Sequence, residues 1–247
     1  MRVIASVLIG CLFSLSAGTC LAEPTRYSVT DVSWEPYWII KGDKVSGIFS
    51  DVMHELEKRL GVTLMANRPL PVIRAQRAFK IGSVHLECCV NSAWRKDTGQ
   101  EQMTLWSDPV LTVEEILIFA PKKSFPYEKL QDLTGKTIST VRGYGYVGSH
   151  YFKRDDSASN ITQVRKVALG RNVAGIIDRV ELAYMMKHNE EFKLANFFVE
   201  VGPVINRSQL KMRVHISRKA LVAPINAAIA AMKKDGTIQR IVDGYVK

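Results

Sequence analysis

The chain has 247 residues, 47% of them hydrophobic and 23% charged, a composition that excludes a disordered, collagenous or multi-span membrane protein. At this length folding buries roughly 70–75% of the surface that the unfolded chain exposes, so one or two domains form without metal or disulfide staples. The formal charge is +10, but basic residues come mostly in pairs such as Lys122-Lys123 and Lys233-Lys234 with acidic residues between them, a solvated basic surface and not a nucleic-acid stripe.

In chain order, Arg2 precedes an uncharged stretch from Val3 to Ala22, whose apolar heart is Val3 to Leu15 and whose exit is Cys20-Leu21-Ala22 before Glu23-Pro24. That pattern predicts a cleavable secretory signal over residues 1–22 and a periplasmic mature chain. Ser14, Ser16, Gly18 and Thr19 weaken the second half as a membrane span, and Thr19 is a poor neighbour for a lipidated Cys20. Cleavage removes Arg2 and lowers the charge to +9. It also removes Cys11 and Cys20, leaving Cys88 and Cys89, which are adjacent and cannot staple distant segments. In an oxidising compartment they either close a small disulfide ring or stay as two buried thiols.

Tyr27 to Val32 reads as a strand. Ser50 stands as N-cap of a helix carrying Val52, Met53, Leu56 and Leu60 on one face and ending at Gly61. Val62 to Met65 predicts a strand, Pro71 to Lys80 a helix stopped by Gly82, and Val84 to Val90 another strand. Glu115 to Ala120 is apolar and strand-like before the break at Pro121. A second unit follows, with strands at Thr137 to Val141, near Ile161 to Val164 and at Ala174 to Asp178, and a helix around Arg171. Lys211 to Ile216 is extended. Val222, Ile225, Ile229 and Met232 form a helical stripe, with Gly236 and Gly244 as stops. Strand and helix alternate, which predicts βαβ units and a mainly parallel sheet.

Gly143-Tyr144-Gly145-Tyr146-Val147-Gly148 matches the dinucleotide fingerprint G-x-G-x-x-G, yet the acidic residue required about 20 positions later is missing and the exported chain meets no nicotinamide pool. The turn is left as an anion-holding backbone or a structural bend. His54, His85, His150, His188 and His215 are scattered without metal-ligand spacing, and Ser149-His150 lacks a hydrolase elbow. No metal and no cofactor are expected.

Trp34-Glu35-Pro36-Tyr37-Trp38, Gly47-Ile48-Phe49-Ser50-Asp51-Val52, Leu60-Gly61-Val62, Trp106-Ser107-Asp108-Pro109, Leu133-Thr134-Gly135-Lys136 and the terminal KKDGTIQRIVDGYV, in this order, resemble the family 3 bacterial solute-binding proteins, periplasmic receptors of polar amino-acid ABC transporters. The resemblance implies an α/β, two-lobed periplasmic-binding-protein-like clamp, each lobe a mainly parallel sheet flanked by helices, joined by two hinge strands near Glu115 to Ala120 and Lys211 to Ile216. Residues 23–117 with 214–247 would form lobe 1 and 118–213 lobe 2.

On the same pattern Ser92-Ala93-Trp94-Arg95 looks like the family's Thr-x-x-Arg segment, whose arginine grips a ligand α-carboxylate with its planar fork. Asp178 matches the strand-end aspartate that accepts the α-ammonium. Trp34, Tyr37 and Trp38 follow the first strand, where rings face the ligand, although three rings in five residues cannot all face one cleft. Trp94, Gly143 and Tyr144 are further candidates, and Arg74 on its helix is a second cation near the cleft. Cys88-Cys89-Val90 departs from the family, losing a hydroxyl contact at Val90. The expected function is a monomeric, non-catalytic receptor that closes on a small zwitterion or carboxylate and presents it to a membrane permease, without nucleic acid. The rivals are a cyclohexadienyl-dehydratase-like enzyme on the same fold, with Glu87 as candidate acid, and a sensory module for a membrane partner.

Overall fold

A computed structural model describes residues 24–96, 99–193 and 197–247; the signal expected at 1–22 lies outside them. Its strands are β1 (Thr25–Ser28), β2 (Ile39–Lys41), β3 (Lys44–Ser46), β4 (Leu64–Ala66), β5 (Leu86–Val90), β6 (Thr104–Phe119), β7 (Thr137–Val141), β8 (Lys153–Ser157), β9 (Ala174–Asp178) and β10 (Glu200–His215). Its helices are α1 (Ile48–Leu60), α2 (Val72–Lys80), α3 (Asn160–Ala168), α4 (Arg179–His188), α5 (Glu190–Lys193), α6 (Val222–Lys234) and α7 (Thr237–Val246).

Eight strands form one mixed sheet in the order β4-β1-β5-β10-β6-β9-β7-β8, with β2 and β3 as a separate hairpin. Pairing is parallel among β4, β1 and β5, and among β9, β7 and β8. The two 16-residue strands β6 and β10 pair antiparallel between these parallel sets. Register shifts along β10 mark irregular pairing, and bulges of this kind bend and twist a strand pair. The buried side chains separate along the same strands. One cluster takes Val113 of β6 and Leu210 of β10 together with α1, β5 and α6. Two others start at Ile116 and Leu117 and cover opposite faces of the β9–β7 half.

Local chemistry explains the frame. On α1, Ile48, Val52, Met53 and Leu56 are buried, each contributing about 1.5–3 kcal/mol of burial. Gly61 closes the helix in the left-handed region at φ 63°, its N–H on Glu57 O, where a side chain costs most. The start differs from the sequence reading: α1 follows Gly47, not Ser50, which lies inside the helix and is buried. Gly47 has φ 111°, and a Cβ there would lie 2.6 Å from Tyr37 O, so the chain passes beneath the aromatic loop only as glycine.

In the second half, Ile161 to Val164 belongs to α3 and not to a strand. Ser159 Oγ accepts the Thr162 N–H, and Val164 and Val167 turn inward on one face. The strand is β8, KRDDS, whose polar sequence suits its position at the sheet edge. Arg171 lies in a turn, α4 follows β9 directly, and Gly244 sits within α7. Among the described residues no helix is long and apolar enough to cross a membrane.

Candidate functional site

A cavity of about 590 Å³ opens where the ends of β1, β5 and β9 converge with the turn after β7. Carboxyl ends of strands in a parallel sheet are where such folds bind ligands.

One wall comes from the first half. The loop after β1 brings Trp34 and Trp38 to the cavity, and Trp38 Nε1 donates to Cys88 O at 3.0 Å. Cys88 and Cys89 are bonded to each other and, with Val90, form part of the lining. Past β5, the Asn91 side chain accepts the Ala93 N–H and starts a short 3-10 turn over Ser92–Arg95. That turn sends Arg95 back over the strand, where Nε lies 3.1 Å from both oxygens of Glu87 and Nη2 also contacts Oε1. Beneath, the wholly buried Arg213 donates to Glu87 Oε2 at 3.2 Å, to Gln76 and to Gln100, and stacks 3.9 Å from the Phe79 ring centre. Burial alone would raise the Glu87 carboxyl, but Arg95 and Arg213 outweigh it and hold the group below its ordinary range. The one carboxylate of this wall is paired from within by two guanidiniums.

The opposite wall comes from β6, β9 and α4. Asp178 ends β9 and caps α4, its Oδ1 accepting the N–H groups of Val180 at 2.9 Å and Glu181 at 3.0 Å and the Tyr37 hydroxyl at 2.8 Å. Its Oδ2 has no donor, although Asp178 is only 8% exposed and lines the cavity. Glu181, one helical turn on, is 4% exposed and accepts Trp34 Nε1 and Asn160 Nδ2. Glu115 on β6 takes Asn206 Nδ2 at 2.6 Å. Burial raises all three carboxyls, and Asp178 beside it pushes Glu181 up to about 8. Burial likewise pushes Tyr144 up to about 12.

The cavity thus brings together Arg95, Asp178, Trp34, Trp38, Val90, Gly143, Tyr144 and the further candidates Trp94 and Glu87. Three expected residues lie off its wall. Tyr37 is fully buried against Phe49 and acts on Asp178 through its hydroxyl. Ser92 sits in the 3-10 turn, and Arg74 is exposed on α2, which offers only Val72 to the lining. The glycine-rich turn reaches the cavity, but no helix follows it, so the dinucleotide geometry is not formed. The adjacent-cysteine alternatives resolve to the disulfide. Glu181, Glu115 and Asn160 were not singled out from the sequence. Asp178-x-x-Glu181 at a strand end is a helix-start signature, and that spacing points to Glu181.

The model of the bacterial extracellular solute-binding proteins, family 3, matches residues 28–247. The chain belongs to this family. A comparison with curated proteins found no match. Among solved structures, the chain is similar to the VFT2 domain of Bordetella pertussis BvgS, at 16% identity and TM-score 0.67 over 90% of this chain and 92% of that one. It is also similar to the second substrate-binding domain of a putative amino-acid ABC transporter from Streptococcus pneumoniae (18%, 0.65, 91% and 100%) and to the L-cystine solute receptor of Neisseria gonorrhoeae in its unliganded open conformation (14%, 0.69, 90% and 92%). At these identities they show the fold, a periplasmic-binding-protein-like α/β architecture.

Proposed function

We propose that this family member is a periplasmic receptor, monomeric after loss of residues 1–22, that closes on a small zwitterion or related carboxylate and delivers it to an ABC-type permease. The observation that carries the reading is the placement of Arg95 and Asp178 on facing walls of one cavity between halves that the long strands β6 and β10 join. The Asp178 Oδ2, lacking a donor, takes the ligand ammonium. A ligand carboxylate engages Arg95 by sharing the guanidinium with Glu87, which Arg213 continues to hold. Residues 23–117 with 214–247 form one lobe and 118–213 the other; rotation about β6 and β10 is the closure. The likeness to an amino-acid transporter domain supports the transport role, and a sensory role for a membrane partner is the alternative output of the same site.

Thermal-shift measurement of the mature protein against amino acids, polyamines and small carboxylates tests the reading. A solute at 100 times its Kd adds about 2.7 kcal/mol, and Arg95→Ala should remove most of that gain for a carboxylate ligand. An equal shift in wild type and variant would reject the Arg95 assignment.

One observation favours a second reading. Glu87, the acid suggested from the sequence, is held ionised, but Glu181 is raised to about 8 inside the cleft and carries a proton at neutral pH. A dehydratase would use that proton. Product formed from prephenate or arogenate by wild type and lost in Glu181→Gln would favour it.

A further inference from the structure

Beyond the pair Arg95 and Asp178, the cavity holds charge that a simple zwitterion does not satisfy. Four carboxylates line it, from Glu87, Glu115, Asp178 and Glu181, against the Arg95 guanidinium on the wall and Arg213 behind Glu87. Both guanidiniums pair with Glu87. Glu115, Asp178 and Glu181 have hydrogen-bond donors only from neutral groups: Asn206, Tyr37, two backbone amides, Trp34 and Asn160. The leading cause of the shift at each of the three is burial, which raises the carboxyl.

Removing carboxylates from water without a cation is strongly unfavourable or forces them to take up protons. A fold keeps such a group where a ligand completes it, and the donor-free Asp178 Oδ2 is the point left open. The surroundings suit a cation as well. Trp34, Trp94 and Tyr144 turn aromatic surface to the same cavity, and ring faces attract ammonium and guanidinium groups.

We propose that the cleft selects solutes carrying two cationic nitrogens, one received by Asp178 and the second by Glu181 with Glu115 beside it. The proposal rests on the receptor reading and specifies the ligand's charge class. It assigns Glu181 the role of specificity determinant. An anionic solute meets three acidic groups with no cation donor among their partners, and a neutral isostere gives Glu181 no reason to give up its proton. Glu181 is faced by Asp178 from its own helix cap, Glu115 from β6, Tyr144 and Tyr146 from the turn after β7, Tyr37 and Trp34 from the loop after β1, and Asn160 from α3. None of these brings a positive charge, so cation binding ionises Glu181 and expels its proton.

The test uses the mature chain and four probes at equal concentration: L-arginine and cadaverine, which carry two cationic nitrogens with and without a carboxylate, L-citrulline, the neutral isostere of arginine, and L-glutamate. L-arginine or cadaverine should stabilise the protein at least tenfold more effectively, by apparent Kd, than citrulline or glutamate. Arginine alone would mean that the carboxylate is also read, and cadaverine in addition that it is not. Calorimetry at pH 7 in two buffers of different ionisation enthalpy should show proton release with the cation. In Glu181→Gln that release should vanish and affinity for the cation should fall roughly 10- to 100-fold, as expected for loss of a charged hydrogen bond. Citrulline or glutamate binding as well as arginine overturns this inference and leaves the receptor reading standing. Unchanged cation affinity and proton release in Glu181→Gln overturns it too. No stabilisation by any probe, amino acid, polyamine or carboxylate overturns both.

Discussion

The two walls of the cleft solve the burial of charge in opposite ways. On the β5 side, Glu87 lies between Arg95 and Arg213, and its neighbours are indole rings and a disulfide. On the β9 side, Glu115, Asp178 and Glu181 receive only neutral donors. The first wall is complete without a ligand and contributes to stability. The second leaves Asp178 Oδ2 without a donor and costs stability, and on the receptor reading that cost serves recognition, the usual exchange at binding sites. The local architecture differs too, since Arg213 of the first network lies in β10, whereas Glu181 of the second stands on the first turn of α4.

The largest effect that separates the walls should come from Arg213→Met. This guanidinium is wholly buried, and its loss leaves Glu87 to Arg95 and Gln76 and takes the donor from the side-chain oxygens of Gln76 and Gln100. Urea denaturation should show a loss of roughly 3–5 kcal/mol; a loss under about 1 kcal/mol would mean that the first wall is not self-sustaining.

The second wall should respond in the opposite sense. Glu181 is raised in the fold to about 8 from an ordinary 4.5, so the unfolded chain ionises first as pH rises, and its contribution to stability is lost between about pH 4.5 and 8. Relative to wild type, unliganded Glu181→Gln should gain stability steadily across that window, by about 1–3 kcal/mol in total. A difference that stays flat with pH would show that Glu181 is solvated.

Asp178 should divide cleanly between its two oxygens. Asp178→Asn keeps an acceptor for the α4 amides and should leave stability within about 1 kcal/mol, while Asp178→Ala also loses the cap, worth about 1 kcal/mol more. Both should lose affinity for amine-bearing solutes. Equal binding of such solutes by wild type and Asp178→Asn would remove Asp178 from the site.

The smallest stability effect belongs to the Cys88–Cys89 bond. Its closed loop spans adjacent residues, so it constrains the unfolded chain little, and reduction should barely move the melting temperature. Alkylation of unreduced, denatured mature protein should add no mass; two alkyl groups would replace the disulfide floor with thiols.

What could be read in advance follows the same division. The first wall's Arg95, Trp34 and Trp38 stand in segments with strong local pattern, as do β7 and β9, whose apolar runs match the observed strands. Glu181 was not legible because its role depends on a three-dimensional coincidence: Trp34, 147 residues away, and Asn160 converge on it. Tyr37 reads as a ligand ring because sequence places it beside two that line the cavity, and only packing on Phe49 shows that its hydroxyl serves Asp178. The hinge strands extend well beyond the apolar cores of Glu115 to Ala120 and Lys211 to Ile216 because pairing with each other satisfies backbone groups where the side chains are polar. In β8 the edge position reverses the usual hydropathy of a strand, and β-branched Ile161, Thr162 and Val164 mimic one inside α3.

Trp34 gives the molecule a built-in optical probe. Its indole N–H reaches Glu181 across the cleft while its ring touches Tyr37, Phe49 and Trp94. On the proposed rotation about β6 and β10, that N–H would exchange a carboxylate for water while the ring kept Tyr37 and Phe49 beside it. Emission from this indole would then report the separation of the walls, and replacing the other tryptophans with phenylalanine would let opening and closing be timed without any attached dye.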